Sequence, residues 1–190
     1  MANRPITNRE LVAWEFAKEK HSGQIRKFLN ISYFDGHVQK VNGIVKQYTI
    51  DEDILIASLL HDVIEDCYEN RWIGYSDIKS TFGSRVADIV MELTSDNNEI
   101  DYKYNGDKAQ YLINKMRNMS PMALTVKLAD RLQNISDAFT ASEGFRNKYF
   151  DETSKIVLSL ASVPMNNESR KILSNIESKI KNIQSIFKIN

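Results

Sequence analysis

The stretch LLHDVIEDCYE, residues 59–69, sets His61, Asp62, Glu65 and Asp66 among apolar neighbours. Unpaired charge in an apolar segment is costly, so these four groups need partners. On a helix, His61 and Glu65 lie one turn apart, as do Asp62 and Asp66, and all four share one broad arc. Leu59, Leu60, Val63 and Ile64 fill the rest of the circumference. A buried salt-bridge network would require Lys or Arg, and this segment has neither before Arg71. A divalent cation is the other source of positive charge. Imidazole and carboxylate donors together suit Zn, Mn, Fe or Co better than Ca.

Two other places offer matching donors. VKLADRLQN (126–134) puts Asp130 inside an apolar helical pattern with Asn134 one turn later, and YFDGHVQKV (33–41) puts His37 near the start of a helix. Each alone has an ordinary reading, the histidine as a satisfied core or surface residue and the aspartate as a cap or ion-pair partner. Together His37, His61, Asp62 and Asp130 supply two nitrogens and two oxygens from three helical regions. An octahedral ion held by these four keeps two positions for water and substrate, which is the form of a catalytic site and not of a closed structural one.

Helical spacing dominates the segments that must position these groups. TNRE (7–10) has the form of a capping box and opens a helix to about Lys20. A second helix is predicted over about 34–47, and a third over 49–67, apolar almost all round and therefore central. YSDIKSTFG and SRVADIVMELT follow as two shorter helices, the first closed by Gly83. Residues 95–108 are polar with an Asn-Gly turn signal and read as a loop. Helices are then expected over 108–118, 120–138 (from Ser120-Pro121) and 145–161. In the tail, Leu173, Ile176, Ile180, Ile183 and Phe187 recur three and four apart, a seam that either docks onto the same domain or zips a dimer. No strand pattern of useful length appears, so the fold class is all-α with no internal repeat.

Composition narrows the partners. The 190 residues suffice for one domain with a sizeable core. Lys+Arg and Asp+Glu both number 25, so no global field draws the chain to nucleic acid or to an anionic membrane. One cysteine, Cys67, excludes an internal disulfide. With no signal-like N-terminus and no run of about 20 apolar residues, a cytoplasmic protein, monomer or homodimer, is expected.

His…His-Asp…Asp on an all-α chain resembles the HD phosphohydrolase superfamily. HSGQIRK (21–27), HDVIED (61–66), FGSRVADIVMELT (82–94), NKM (114–116), VKLADRLQN (126–134) and EGFRNKYF (143–150) come in the order found in alarmone hydrolases. These comprise the hydrolase domain of RelA/SpoT proteins and the stand-alone small alarmone hydrolases, whose metazoan type the EGF…YF segment most resembles. The match covers about 7–160 of a single HD domain, 1–190, with 165–190 as a C-terminal amphipathic helix. The resemblance implies a helical bundle whose central buried helix carries the His-Asp pair. It implies hydrolysis of the 3′-pyrophosphate of guanosine tetra- and pentaphosphate, giving GDP or GTP and pyrophosphate, with one Mn²⁺. It makes His37, His61, Asp62 and Asp130 the metal ligands and Glu65 and Asp66 the catalytic acidic pair. Arg26, Lys27, Lys115, Met116, Lys127, Asn134 and Tyr149 become substrate-binding residues. Plain alternatives stand beside some of these, with Lys127 and its neighbour Arg131 solvated surface charges and Met116 core.

The sequence departs from the family where a Gly-x-Pro-Tyr turn usually precedes the first metal histidine. FLNISYFDGH (28–37) stands there, without the Gly-x-Pro and somewhat longer. This bears on substrate preference more than on the metal. Cys67 replaces the usual Thr, and Gln133 the usual His or Tyr. Two other functions fit the same residues: another HD nucleotidase or nucleotide pyrophosphohydrolase, and a metal- and nucleotide-binding sensor without turnover. The Glu65-Asp66 pair speaks against the sensor, since binding alone does not need both.

Overall fold

A computed structural model of the chain describes residues 4–26, 29–67 and 73–187. Its backbone separates into two compact units, 1–95 and 96–190. Among the described residues no helix is long and apolar enough to cross a membrane.

The first unit begins with α1 (Asn8–Lys20), and the capping box read from TNRE is present. The Glu10 amide donates to Thr7 Oγ1 (3.2 Å) and the Thr7 amide to Glu10 Oε2 (2.9 Å). Its centre is α3 (Glu52–Leu60), started by Asp51, whose side chain accepts from the amides of Asp53 and Ile54. Every residue from Ile54 to Leu60 is buried, and α3 packs against α1, α2 (Gln39–Val45) and α6 (Ser84–Leu93). Around it lie α4 (Val63–Asp66) and α5 (Tyr75–Phe82). Gly83, at φ +94°, separates α5 from α6 with a backbone that L side chains rarely adopt.

The second unit is built on α9 (Pro121–Ala138), which begins with Ser120 as cap and Pro121 in the first turn. It packs against α10 (Glu143–Leu160) and α11 (Asn167–Phe187), while α8 (Lys108–Arg117) packs against α10. The tail seam docks onto its own unit: Ile172, Leu173, Ile176, Ile180 and Ile183 are buried, and Phe187 meets Phe139 edge-on at 5.1 Å.

Four local expectations are corrected. The segment 49–67 is not one helix, because α3 ends at Leu60 and α4 starts at Val63. His61 and Asp62 form the break, with Asp62 at φ −108°, ψ −2°. Interactions of their side chains outweigh helical continuity there. The predicted loop 95–108 contains α7 (Asn97–Lys103). Asp96 Oδ1 caps it at the amides of Asn98 and Glu99, and Ile100 alone buries an apolar side chain, too little to register as periodicity. The predicted second helix opens with a π-helical turn, Phe34–Val38. A two-residue antiparallel ladder also exists, β1 (Ile25–Arg26) with β2 (Ile31–Ser32), shorter than any alternation a sequence can display. A Cβ on Gly36 would lie 2.9 Å from Ile31 Cγ1 and 3.1 Å from Arg26 Cβ, so glycine lets the turn bearing His37 press against this ladder.

Candidate active site

Three of the four predicted ligands converge within the first unit. The π-helical turn delivers His37, the C-terminal end of α3 delivers His61, and the break delivers Asp62. His61 Nε2 lies 2.9 Å from Asp62 Oδ2 and 3.2 Å from His37 Nε2, and His37 Nε2 lies 3.3 Å from Asp62 Oδ2. Both histidines are buried. His61 Nδ1–H donates to the Ser58 carbonyl at 2.9 Å, which fixes the tautomer of the neutral ring and turns the Nε2 lone pair toward the cluster.

These distances test the fit of a metal ion. Two ligand atoms at right angles, each about 2.1 Å from one ion, lie about 3.0 Å apart. The observed edges of 2.9–3.3 Å match that figure. Lone pairs converging so closely repel unless a proton or a metal cation stands among them. The donor set of two imidazoles and a carboxylate suits a divalent ion. Burial acts to raise the Asp62 carboxyl, but His61 and His37 beside it hold it well below the usual carboxylate range.

Tyr33 was not among the residues singled out from the sequence, yet it organises this cluster. Its hydroxyl donates to Asp62 Oδ2 at 2.7 Å, and its ring centroid lies 5.1 Å from that of His37. The Arg26 guanidinium sits over the Tyr33 ring, 5.6 Å from its centroid. A signal for Tyr33 was available, since it precedes His37 by four residues, one helical turn. Lys27 lies outside the described residues.

The acidic pair follows on α4. Glu65 Oε2 accepts the Ser95 amide at 2.8 Å, which fixes the carboxylate. Asp66 is exposed as a residue, but its carboxyl end is crowded. Loss of water, with the charges of Asp62 and Glu65, pushes it up to about 6, and a cation among the ligands would pull it back down. Its backbone is held from α1's end of the unit: His21 Nδ1–H donates to Gln24 Oε1 (2.8 Å), and Gln24 Nε2 donates to the Asp66 carbonyl (2.8 Å). Burial pushes the neighbouring Cys67 thiol up to about 12, so it stays a neutral thiol.

The remaining residues belong to the second unit. Asp130 is buried on α9, with Lys127 Nζ 3.1 Å from its Oδ2 and Asn134 Nδ2 donating to its Oδ1. Arg131 was weighed only as a surface charge. It is instead buried, paired with Glu152 at 2.6 Å and set 4.7 Å from the Tyr149 ring centroid. Lys127 is likewise buried and not a solvated charge. Burial pushes the Tyr149 phenol up, against the opposing Arg131 charge. On α8, Lys115 Nζ donates to the Tyr111 hydroxyl at 3.3 Å, and Met116 is fully buried.

A family model described as HD domain matches residues 13–163. The chain is 30% identical over 161 residues to the guanosine-3′,5′-bis(diphosphate) 3′-pyrophosphohydrolase MESH1 of Drosophila melanogaster, covering 81% of this chain and 86% of that protein. It is 34% identical over 149 residues to a guanosine-3′,5′-bis(diphosphate) 3′-pyrophosphohydrolase of Aquifex aeolicus. That match covers 78% of this chain but only 20% of the Aquifex protein. Among solved structures, one described as a metazoan ortholog of SpoT that hydrolyzes ppGpp superposes with a TM-score of 0.74 at 27% identity. It covers 94% of this chain and 98% of the other. On these matches the chain belongs to the HD domain family, in the group that contains the MESH1 proteins.

Proposed function

We propose that this chain hydrolyses guanosine 3′,5′-bis(diphosphate) and its 5′-triphosphate analogue at the 3′-pyrophosphate, releasing GDP or GTP and intact pyrophosphate. The observation that carries the reading is the convergence of His37, His61 and Asp62 in a chain that aligns with nearly the whole of a MESH1 hydrolase. Mn²⁺ is the proposed ion, and Asp130 its fourth protein ligand, on the strength of the motif order. A divalent ion so held lowers the pKa of a water and withdraws charge from phosphoryl oxygens.

The chain's own residues do the rest. Glu65, anchored by the Ser95 amide, and Asp66 orient the attacking water and take its proton. The water oxygen bonds to the phosphorus carried on the ribose 3′-oxygen, the P–O3′ bond breaks, and the proton passes to O3′. Arg26 and Lys27 meet the phosphates as cations, which a chain of zero net charge must provide locally. Lys115, Lys127, Asn134 and Tyr149 are proposed to bind nucleotide, with Met116 packing beneath. The setting proposed is the cytoplasm, with free nucleotide as partner and neither nucleic acid nor membrane, for a monomer or homodimer.

Purified protein with Mn²⁺ and a panel of phosphorylated nucleotides, with products resolved by anion exchange, tests this. Pyrophosphate and GDP should appear from the bis(diphosphate), GDP itself should survive, and chelation should stop turnover until Mn²⁺ is restored. Orthophosphate as first product, or loss of GDP, would overturn the substrate assignment. Asp130→Asn should weaken Mn²⁺ binding in a direct titration. Unchanged affinity would remove Asp130 from the ligand set.

A further inference from the structure

α4 (Val63–Asp66) carries both carboxylates proposed to handle protons, yet it is a single turn. One turn does not hold itself together in water, and the carbonyls at its end lack helical donors. Gln24, 42 residues earlier in the chain, supplies one: its Nε2 donates to the Asp66 carbonyl at 2.8 Å. The main-chain carbonyl of Gln24 accepts the Tyr33 amide, also at 2.8 Å, one rung beyond the pairing of Ile25 with Ser32. Tyr33 in turn donates to Asp62 Oδ2. Gln24 therefore touches two parts of the candidate site. Its backbone meets the residue that holds a ligand carboxylate, and its side chain meets the turn that bears Glu65 and Asp66.

The polarity of this arrangement is forced. A main-chain carbonyl only accepts, so the Gln24 amide must present its NH₂ group to Asp66 and its Oε1 to the other side. His21 Nδ1 stands there, 2.8 Å away, and must donate. Burial pushes the His21 imidazole below its ordinary value, so the ring is neutral at pH 7, and the opposite tautomer would bury an N–H at Nε2, which has no partner. A flipped Gln24 amide would set oxygen against the Asp66 carbonyl. His21 is 1% exposed and packs against the Tyr33 ring with centroids 5.1 Å apart, which keeps its ring in place. We propose that Gln24, its amide oriented by His21, is a positioning residue of the active site that fixes α4 and with it Glu65 and Asp66, a role that rests on the hydrolytic reading above.

Gln24→Met keeps the length of the side chain and the main-chain bond to Tyr33 but loses both side-chain bonds. Exchange of the α4 amides with deuterated water, followed by mass spectrometry on the full chain with Mn²⁺, should quicken about tenfold, the scale of one net hydrogen bond. With guanosine 3′,5′-bis(diphosphate), kcat should fall about tenfold or more, as expected for misplaced catalytic groups, while KM and the Mn²⁺ Kd stay within about twofold. A merely structural residue would move all three or none. His21→Asn sets an amide nitrogen where Nδ1 stands and should keep most of kcat, whereas His21→Ala removes the donor and should match Gln24→Met. Unchanged exchange, unchanged kcat, or a loss of Mn²⁺ affinity as large as the loss of kcat in Gln24→Met would overturn the proposal. A His21→Asn protein as damaged as His21→Ala would take His21 out of it. If the wild-type chain leaves the bis(diphosphate) intact, the hydrolytic reading fails, and the exchange result alone decides whether Gln24 fixes α4.

Discussion

Tyr33→Phe removes one hydroxyl and leaves the ring, which makes it a clean probe of how the ligand carboxylate is held. The lost bond is the 2.7 Å donation to Asp62 Oδ2, the oxygen nearest both histidine nitrogens. A hydrogen bond to a charged group contributes about 1.5–3 kcal/mol. At about 1.4 kcal/mol per factor of ten, this corresponds to roughly 10- to 150-fold in metal affinity, and outer-shell partners of metal ligands typically carry about 10–100-fold. The ring contacts with His37 and Arg26 persist in phenylalanine, so thermal stability should change little. Calorimetric titration with Mn²⁺ should show the weakened affinity, and kcat at saturating metal should recover most of its value. An unchanged Kd would mean that the hydroxyl does not orient Asp62. Activity lost even at saturating Mn²⁺ would assign Tyr33 to the substrate instead.

Other expectations follow from the same geometry. His61→Ala or Asp62→Ala removes a converging ligand and should abolish both turnover and tight Mn²⁺ binding, and near-normal activity in either would sink the ligand assignment. Glu65→Gln keeps the Ser95 contact and the ligand set, so metal binding should survive while kcat falls about 100-fold or more, the scale of lost general acid–base catalysis. A metal-free Glu65→Gln protein would argue against that division of roles. Lys27→Ala should raise KM more than it lowers kcat if its contact is equal in ground and transition states, and a collapsed kcat at constant KM would make it catalytic. Ile176→Ala on the buried face of α11 should cost about 2–5 kcal/mol in chemical denaturation, the range for deleting a buried aliphatic side chain, and a neutral result would show that the tail docks too loosely to matter.

What could be read from the residues was whatever repeats or is stated locally. The capping box at Thr7 and Glu10, the Ser-Pro start of α9 and the three-four spacing of α11 are local chemistry, and each reappears in the fold. The clustering of His37, His61 and Asp62 was legible too, because charge inside an apolar stretch demands a partner wherever the chain goes. Illegible were features decided by groups distant in sequence. The ladder between Ile25–Arg26 and Ile31–Ser32 is two residues long, and α7 buries only Ile100, so neither generates a period. Tyr33 looked like one tyrosine among eight, and its role appears only when Asp62, from another element, arrives at its hydroxyl. Arg131 looked solvated because its partner, Glu152, is 21 residues away.

The break between α3 and α4 shows why a continuous helix was the wrong reading of the very segment whose chemistry was clearest. Adjacent residues on an α-helix point about 100° apart, so an intact helix would aim His61 and Asp62 at different places. Their ligand atoms lie 2.9 Å apart because Asp62 leaves the helix for φ −108°, ψ −2°, in the sparsely occupied bridge region. A helix end leaves carbonyls short of donors. Here His61 Nδ1–H serves one of them, the Ser58 carbonyl, so the bond that closes the helix end is also the one that turns Nε2 toward the site. The Asp66 amide then donates to the Asp62 carbonyl at 2.8 Å and restarts the helix as α4, carrying Glu65 and Asp66 on a new axis. One interruption thus sets the two candidate ligands, His61 and Asp62, at the break and the two carboxylates proposed to handle protons, Glu65 and Asp66, after it. Helical regularity over 61–62 would satisfy the backbone equally well and would part the donor atoms of His61 and Asp62.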